Sequence, residues 1–201
     1  MKETKFAFNR QTKLDDDFFY VSSLNPTFKK TDHKFEISNN CILNSYNEEI
    51  SDYDYISILT KKKYKNGAKI STHCDFKGYG TPIIVISDDV RAYENGDKYY
   101  GLHFEVVAYS LGCNIWQIIP LPEGSKEPIE NRKIANLPFE IGQEEPVSLT
   151  IEVCGHTIKV TLNGRELLAE SPDIPDSFHV GLTACEGINK FYDMTIEGEE
   201  A

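Results

Sequence analysis

The chain has 201 residues, enough for one sizeable core, and its 40 % hydrophobic and 26 % charged content is ordinary for a globular protein. Asp and Glu number 32 against 21 Lys and Arg, and the resulting charge of -11 repels phosphate backbones and anionic lipid. Nucleic acid and membrane surfaces are therefore disfavoured as partners, while a neutral ligand such as a sugar is not.

The N-terminal stretch MKETKFAFNRQTKLDDDFF has no apolar h-region and no small-residue cleavage site, so no secretory signal is expected. No window approaches the roughly 18 apolar residues of a membrane span. The five cysteines, Cys41, Cys74, Cys113, Cys154 and Cys185, are odd in number and widely spaced. Free thiols in a reducing cytoplasm are the expectation.

Along the chain, two-residue alternation broken by turn residues predicts an all-β sandwich or barrel. KFEIS (34–38), Asn39-Asn40 and CILNS read as a hairpin, because Asn tolerates positive φ. In GAKISTHCDF (67–76), Ala68, Ile70, Thr72, Cys74 and Phe76 share one face, and Lys69, Ser71, His73 and Asp75 the other. TPIIVIS (81–87) is apolar on both faces and predicts a covered strand. YYGLHFEVVAYS (99–110) is expected to turn Tyr100, Leu102, Phe104, Val106 and Ala108 inward, with NIWQI (114–118) following after Leu111-Gly112.

Residues 120–146, rich in Pro, Gly and charge, predict a long loop with a short strand near 132–139. VSLTIEV, TIKVTL and RELLAE, joined at Gly155-His156 and Asn163-Gly164, predict a three-strand meander, since Asn-Gly between alternating strands is a strong hairpin signal. HVGLTA (179–184) and FYDMTIE (191–197) are expected to pair around CEGINK. No repeat or internal boundary interrupts the chain, so residues 1–201 are expected to form a single domain.

Cys185 beside Glu186 raises the question of a reactive thiol. Alternation faces Val180, Leu182 and Ala184 to a core and sets Cys185 on the opposite side, where strand gives way to turn. A nucleophilic cysteine needs a base and an electropositive setting. An adjacent carboxylate works against both, so a structural role is expected.

The succession of KFEISNNCIL, YYGLHFEVVAYS followed by NIWQI, IKVTLNGRELL and HVGLTACEGINKFYDMTIEG resembles the concanavalin A-like lectin/glucanase superfamily from about residue 18 to 197. It is also similar to accessory sandwich domains of some xylan-degrading glycosidases. The resemblance implies a two-sheet antiparallel jelly-roll sandwich, with any glycan lying on the concave sheet or its rim. It does not choose among lectins, hydrolases, lyases and structural modules.

The non-core face of strand 99–110 offers Tyr99, His103, Glu105 and Tyr109 as ligand-binding candidates, with Gly101 leaving a gap between them. His73 and Asp75 are expected on the same sheet, and Trp116, of ambiguous parity, completes the set. Glucanases of the superfamily carry Glu-x-Asp-x-x-Glu on one strand. The matching positions are Glu105, Val107 and Ser110, so only the first carboxylate is present. If the protein is an enzyme, Glu105 is its catalytic candidate, with a partner such as Asp75 assembled in three dimensions.

No cofactor is expected, and no metal. His73-Cys74 and Cys154-Gly155-His156 are too sparse for zinc, and Asp15-Asp16-Asp17 reads as a solvated turn rather than a calcium loop. Three readings stand: a carbohydrate-recognition sandwich for a neutral glycan, a glycoside hydrolase or lyase with atypical carboxylates, and an interaction scaffold that oligomerises through a sheet face.

Overall fold

A computed structural model describes residues 2–8, 13–22, 34–38, 40–44, 55–94, 96, 98–122 and 124–201. Among them there is no α-helix; strands pair antiparallel throughout, in two large sheets and one small ribbon. Strands are numbered along the chain.

The first large sheet runs β16 (Arg165–Glu170), β15 (Thr157–Leu162), β14 (Val147–Cys154), β7 (Lys69–Lys77), β18 (Ile188–Phe191), β4 (Ile42–Leu43), β3 (Glu36–Ile37). In addition β19 (Asp193–Gly198) pairs with β7, and β1 (Lys2–Ala7) with β19, making nine strands. The second sheet, of eight strands, runs β13 (Ile129–Pro138), β12 (Gly112–Pro120), β11 (His103–Tyr109), β8 (Thr81–Ser87), β17 (Ser177–Cys185), β5 (Tyr55–Thr60), β2 (Phe19–Ser22). Its eighth strand, β6 (Tyr64–Lys65), pairs with the start of β17. A ribbon of β9 (Val90–Ala92) and β10 (Lys98–Tyr100) stands beside it.

Alternation explains how the sheets close on one another. Ala68 just before β7 and Ile70, Cys74 and Phe76 within it meet Phe104, Val106 and Ala108 of β11 and Val180, Leu182 and Ala184 of β17 in one buried cluster. Each large side chain removed from water there contributes about 1.5–3 kcal/mol. The result is a jelly-roll sandwich. The meander β14–β15–β16 forms as expected, with Asn163 and Gly164 at φ 47° and 78° in its second turn. The hairpin β3–β4 forms too, although Asn39 of its turn lies outside the described residues.

Three expectations are corrected. The stretch 179–184 does not pair with 191–197: β17 lies between β8 and β5 in one sheet while β19 joins β7 in the other, so CEGINK crosses between sheets. The loop at 120–146 holds a ten-residue strand, β13, mostly exposed along the sheet edge. The short strand expected near 132–139 thus begins three residues earlier, and its polar sequence suits an edge strand, which needs little burial. The strand expected over 99–110 is broken at Gly101-Leu102, which resets its parity. Tyr100 accordingly leaves the main core and packs with Tyr55, Leu59, Ile83, Val85 and Cys185 on the outer face of the eight-stranded sheet.

All five cysteines are unpaired, four buried and Cys154 exposed. Asp15–Asp17 forms an exposed turn in which the Asp17 amide donates to Asp15 Oδ1 at 2.9 Å.

Buried His179 makes stability depend on pH. Its Nδ1–H donates to the Thr60 carbonyl at 2.8 Å, and burial, aided by Lys63, lowers its pKa from the usual 6.5. The folded protein holds it neutral, whereas the unfolded chain takes up a proton as pH falls through about 6.5. Its contribution to stability is therefore whole above that pH and declines below it, until the folded state also protonates. Urea midpoints at pH 8 and pH 5 should fall more for wild type than for His179→Gln, in which this titration is absent. Equal falls would show that His179 does not set the dependence.

Candidate functional site

The site grows from register. On the outer face of the eight-stranded sheet, Glu105 of β11 stands directly opposite Trp116 of β12 and Val85 of β8. Val107 and Ile83 follow as the next outward pair, and β17 brings Cys185 opposite Thr81 of β8 and Tyr55 of β5. Apart from Val85, these side chains line a cleft of about 390 Å³, with Trp116 and Tyr55 among its walls and Asn131 and Glu186 adding to its polar lining.

Glu105 is 2 % exposed and His103 is fully buried. His103 Nδ1 lies 2.8 Å from the Gly101 carbonyl, which can only accept, so that nitrogen carries hydrogen. Nε2 faces Glu105 Oε1 at 3.3 Å, and a favourable contact requires a proton on one of the two. Neither atom has a hydrogen-bond partner elsewhere among the described residues. Oε1 is thus sealed against His103, and Glu105 joins the cleft lining only through the small part of its side chain that stays exposed.

Trp116 is half-buried, with Lys133 Nζ 4.8 Å from its ring centroid. The contact holds the indole in place, as cations over aromatic faces do. Burial, reinforced by Glu105 and Cys185, raises the Tyr55 pKa well above the usual phenol range, so Tyr55 stays a phenol. Cys185 is raised strongly as well, by burial first and Glu186 second. It is a neutral thiol under ordinary conditions, and no nucleophile.

Backbone geometry holds Glu186 at the rim. Glu186 and Gly187 take φ 54° and 39° in the turn leaving β17. Two fully buried asparagines clamp that turn. Asn44 Nδ2 donates to the Gly187 carbonyl at 2.8 Å, and Asn189 Nδ2 to the Glu186 carbonyl at 2.8 Å and to that of Cys185 at 3.2 Å.

The residues singled out from sequence separate into groups. His103, Glu105 and Trp116 come together, Glu105 and Trp116 on the cleft and His103 behind it. Tyr109 stands beyond Val107 on the same strand, where Asn136 Nδ2 donates to its hydroxyl at 3.4 Å; it is not part of the cleft lining. Tyr99 is carried away on β10, stacked on Tyr93.

His73 and Asp75 are on β7, in the other sheet, so the expected shared sheet with β11 is not found. There His73 Nδ1 contacts Asp193 Oδ2 at 2.8 Å, and buried Asp75 pairs with Lys190 Nζ at 3.2 Å and accepts from the Tyr192 hydroxyl. A Glu105–Asp75 pair across one groove is thereby ruled out. Tyr55, Asn131 and Glu186 were missed. For Tyr55 the signal was present in YISILT (55–60), an alternating β-rich run.

Among the described residues, no three His, Cys, Asp or Glu side chains converge to hold a metal, and no helix is long and apolar enough to cross a membrane.

With two antiparallel sheets and this outer-face cleft, the chain has the concanavalin A-like jelly-roll fold. A carbohydrate binding module from Bacillus subtilis superposes with TM-score 0.58 at 15 % identity, covering 90 % of this chain and 98 % of that one. LamA from Zobellia galactanivorans, in complex with laminaritriose and laminaritetraose, gives TM-score 0.63 at 11 % identity over 96 % and 97 %. A pseudo beta-1,3-glucanase of Mycobacterium tuberculosis gives 0.62 at 11 % over 98 % of both chains. No protein-family model matches the chain, and no curated protein matches it. At these identities the likeness establishes the fold.

Proposed function

We propose that the cleft on the eight-stranded sheet binds a neutral glycan and does not cleave it. The observation that carries this reading is the pairing of Trp116, an aromatic wall, with Glu105 on the lining of one cleft. A sugar ring stacks its apolar face on the indole and gives a hydroxyl to the carboxylate. Solved structures of this fold that bear carbohydrate-binding names, or hold laminari-oligosaccharides, support the class of ligand.

The absence of cleavage rests on carboxylate spacing. Glycosidases hold two carboxyls about 5–5.5 Å apart for retention or about 6.5–9.5 Å for inversion. Beside Glu105 on the same face stands Val107, and among the described residues the other carboxylate lining the cleft is Glu186. Glu105 is level with Gly181 across β8, so Glu186 is two strands over and five residues along. Strand spacing and rise put the two backbones on the order of 19 Å apart. Two side chains reaching toward each other leave a gap at or beyond the upper limit for inversion. A hydrolase built on Glu105 and Glu186 is the second reading, favoured only by their common cleft.

A glycan array on wild type, followed by Glu105→Gln on any hit, tests the proposal. A hydrogen bond to a charged group is worth about 1.5–3 kcal/mol against about 1 for a neutral one, so affinity should fall about two- to thirtyfold. No reducing sugar should appear with either protein. Turnover by wild type that vanishes in Glu105→Gln would establish the hydrolase instead, and unchanged binding would move the site elsewhere.

A further inference from the structure

Tyr93 and Tyr99 stack across the β9–β10 ribbon with ring centroids 4.3 Å apart and planes 28° from parallel. They line a second cleft, of about 230 Å³, together with Pro120, Pro122 and Pro128. It abuts the first. Pro120 is paired with Ile129 and Ile118 with Asn131 along β12–β13. Ile118, Ile129 and Asn131 line the first cleft, and Pro120 and Pro128 the second.

The chemistry of the second cleft suits the same kind of ligand. Flat aromatic and pyrrolidine faces enclose it, and Glu94 supplies the one charge among its described lining residues. Among these described residues there is a carboxylate and no cation to hold a phosphate or sulfate. Stacking faces combined with phenol and carboxylate hydrogen-bonding groups fit the alternating apolar and hydroxyl surfaces of a neutral sugar. Trp116 and Pro120 are four residues apart on one strand, about 13 Å, too far for one sugar ring to touch both ends.

We infer that the β9–β10 ribbon is a second binding subsite and that the ligand is a glycan chain of several units, running from Trp116 to the Tyr93–Tyr99 stack. This rests on the glycan-binding reading of the first cleft and adds to it the length of the ligand and the residues that measure it.

The test is calorimetric titration with laminari-, cello- and xylo-oligosaccharides, from disaccharide to hexasaccharide. For any series that binds, the hexasaccharide should bind wild type about tenfold more tightly than the disaccharide, the upper end of what aromatic stacking adds beyond area burial. Tyr99→Ala and Tyr93→Ser should each erase that gain and leave the disaccharide unaffected. Tyr99→Phe, which keeps the ring, should preserve it. Glu105→Gln should weaken every length by the same factor. A gain that survives both tyrosine truncations, or an affinity independent of length in wild type, overturns the second subsite while leaving the first cleft standing. Failure of every series, together with a blank glycan array, removes both.

Discussion

A Gly187→Ala variant should lose about 3 kcal/mol of stability, read as a fall in the urea midpoint at unchanged slope. Two costs combine. At φ 39° the residue occupies left-handed backbone, which costs an L side chain about 1–2 kcal/mol. A Cβ there would also lie 2.2 Å from the Gly80 amide nitrogen and 2.6 Å from the Lys77 carbonyl oxygen, both main-chain atoms that cannot rotate aside. The β7–β8 turn would have to move, and with it the rim that presents Glu186. Gly155→Ala is the control, because its φ of 59° carries the backbone cost while its Cβ would meet nothing within 4 Å. It should lose about 1 kcal/mol. Equal losses in the two variants would mean that the close approach to Gly80 contributes nothing.

Trp116→Ala should cost glycan binding at least thirtyfold, the loss of a central aromatic anchor worth about 2 kcal/mol or more. Stability should change little, because the indole is half-buried on the outer face and takes no part in the core between the sheets. Trp116→Phe should recover part of the affinity through its smaller face. Trp116 is the only tryptophan in the chain, so its emission reports the cleft directly. A saturating change in wild-type fluorescence during titration should give the same dissociation constant as calorimetry. A Trp116→Ala protein that binds like wild type would refute the cleft as the glycan site.

Much of the fold was legible because alternation is a local property. Phe104, Val106 and Ala108 face the core, and Glu105 faces away from it, as the pattern of HFEVVAY requires. What alternation does not carry is which strands become neighbours. Asp75 and Glu105 both point outward from alternating strands, yet β7 and β11 belong to different sheets, and pairing over such separations is decided by the whole chain. Parity also fails wherever a strand is interrupted. Gly101 sits where any Cβ would meet Asp88 Oδ1 at 2.0 Å, and the break it marks sends Tyr99 to a ribbon and Tyr100 to the outer face. The cleft itself was half visible. Glu105 and Trp116 were among the candidates, while Tyr55 and Glu186 enter it from β5 and from beyond β17, at distances no sequence window spans.

The position of β17 bears on how the protein comes to be made. It is the strand between β8 and β5, but its residues, 177–185, are translated about 90 positions after β8 is complete. At about 5–20 residues per second, a nascent chain carries β5 and β8 with unpaired inner edges for roughly 5–20 seconds. During that interval YISILT and TPIIVIS, two of the most apolar segments, lack their shared partner. Self-association on the ribosome competes with folding in that window. A chaperone that holds extended strands, or slower elongation through residues 147–170, would act there before any native binding surface exists.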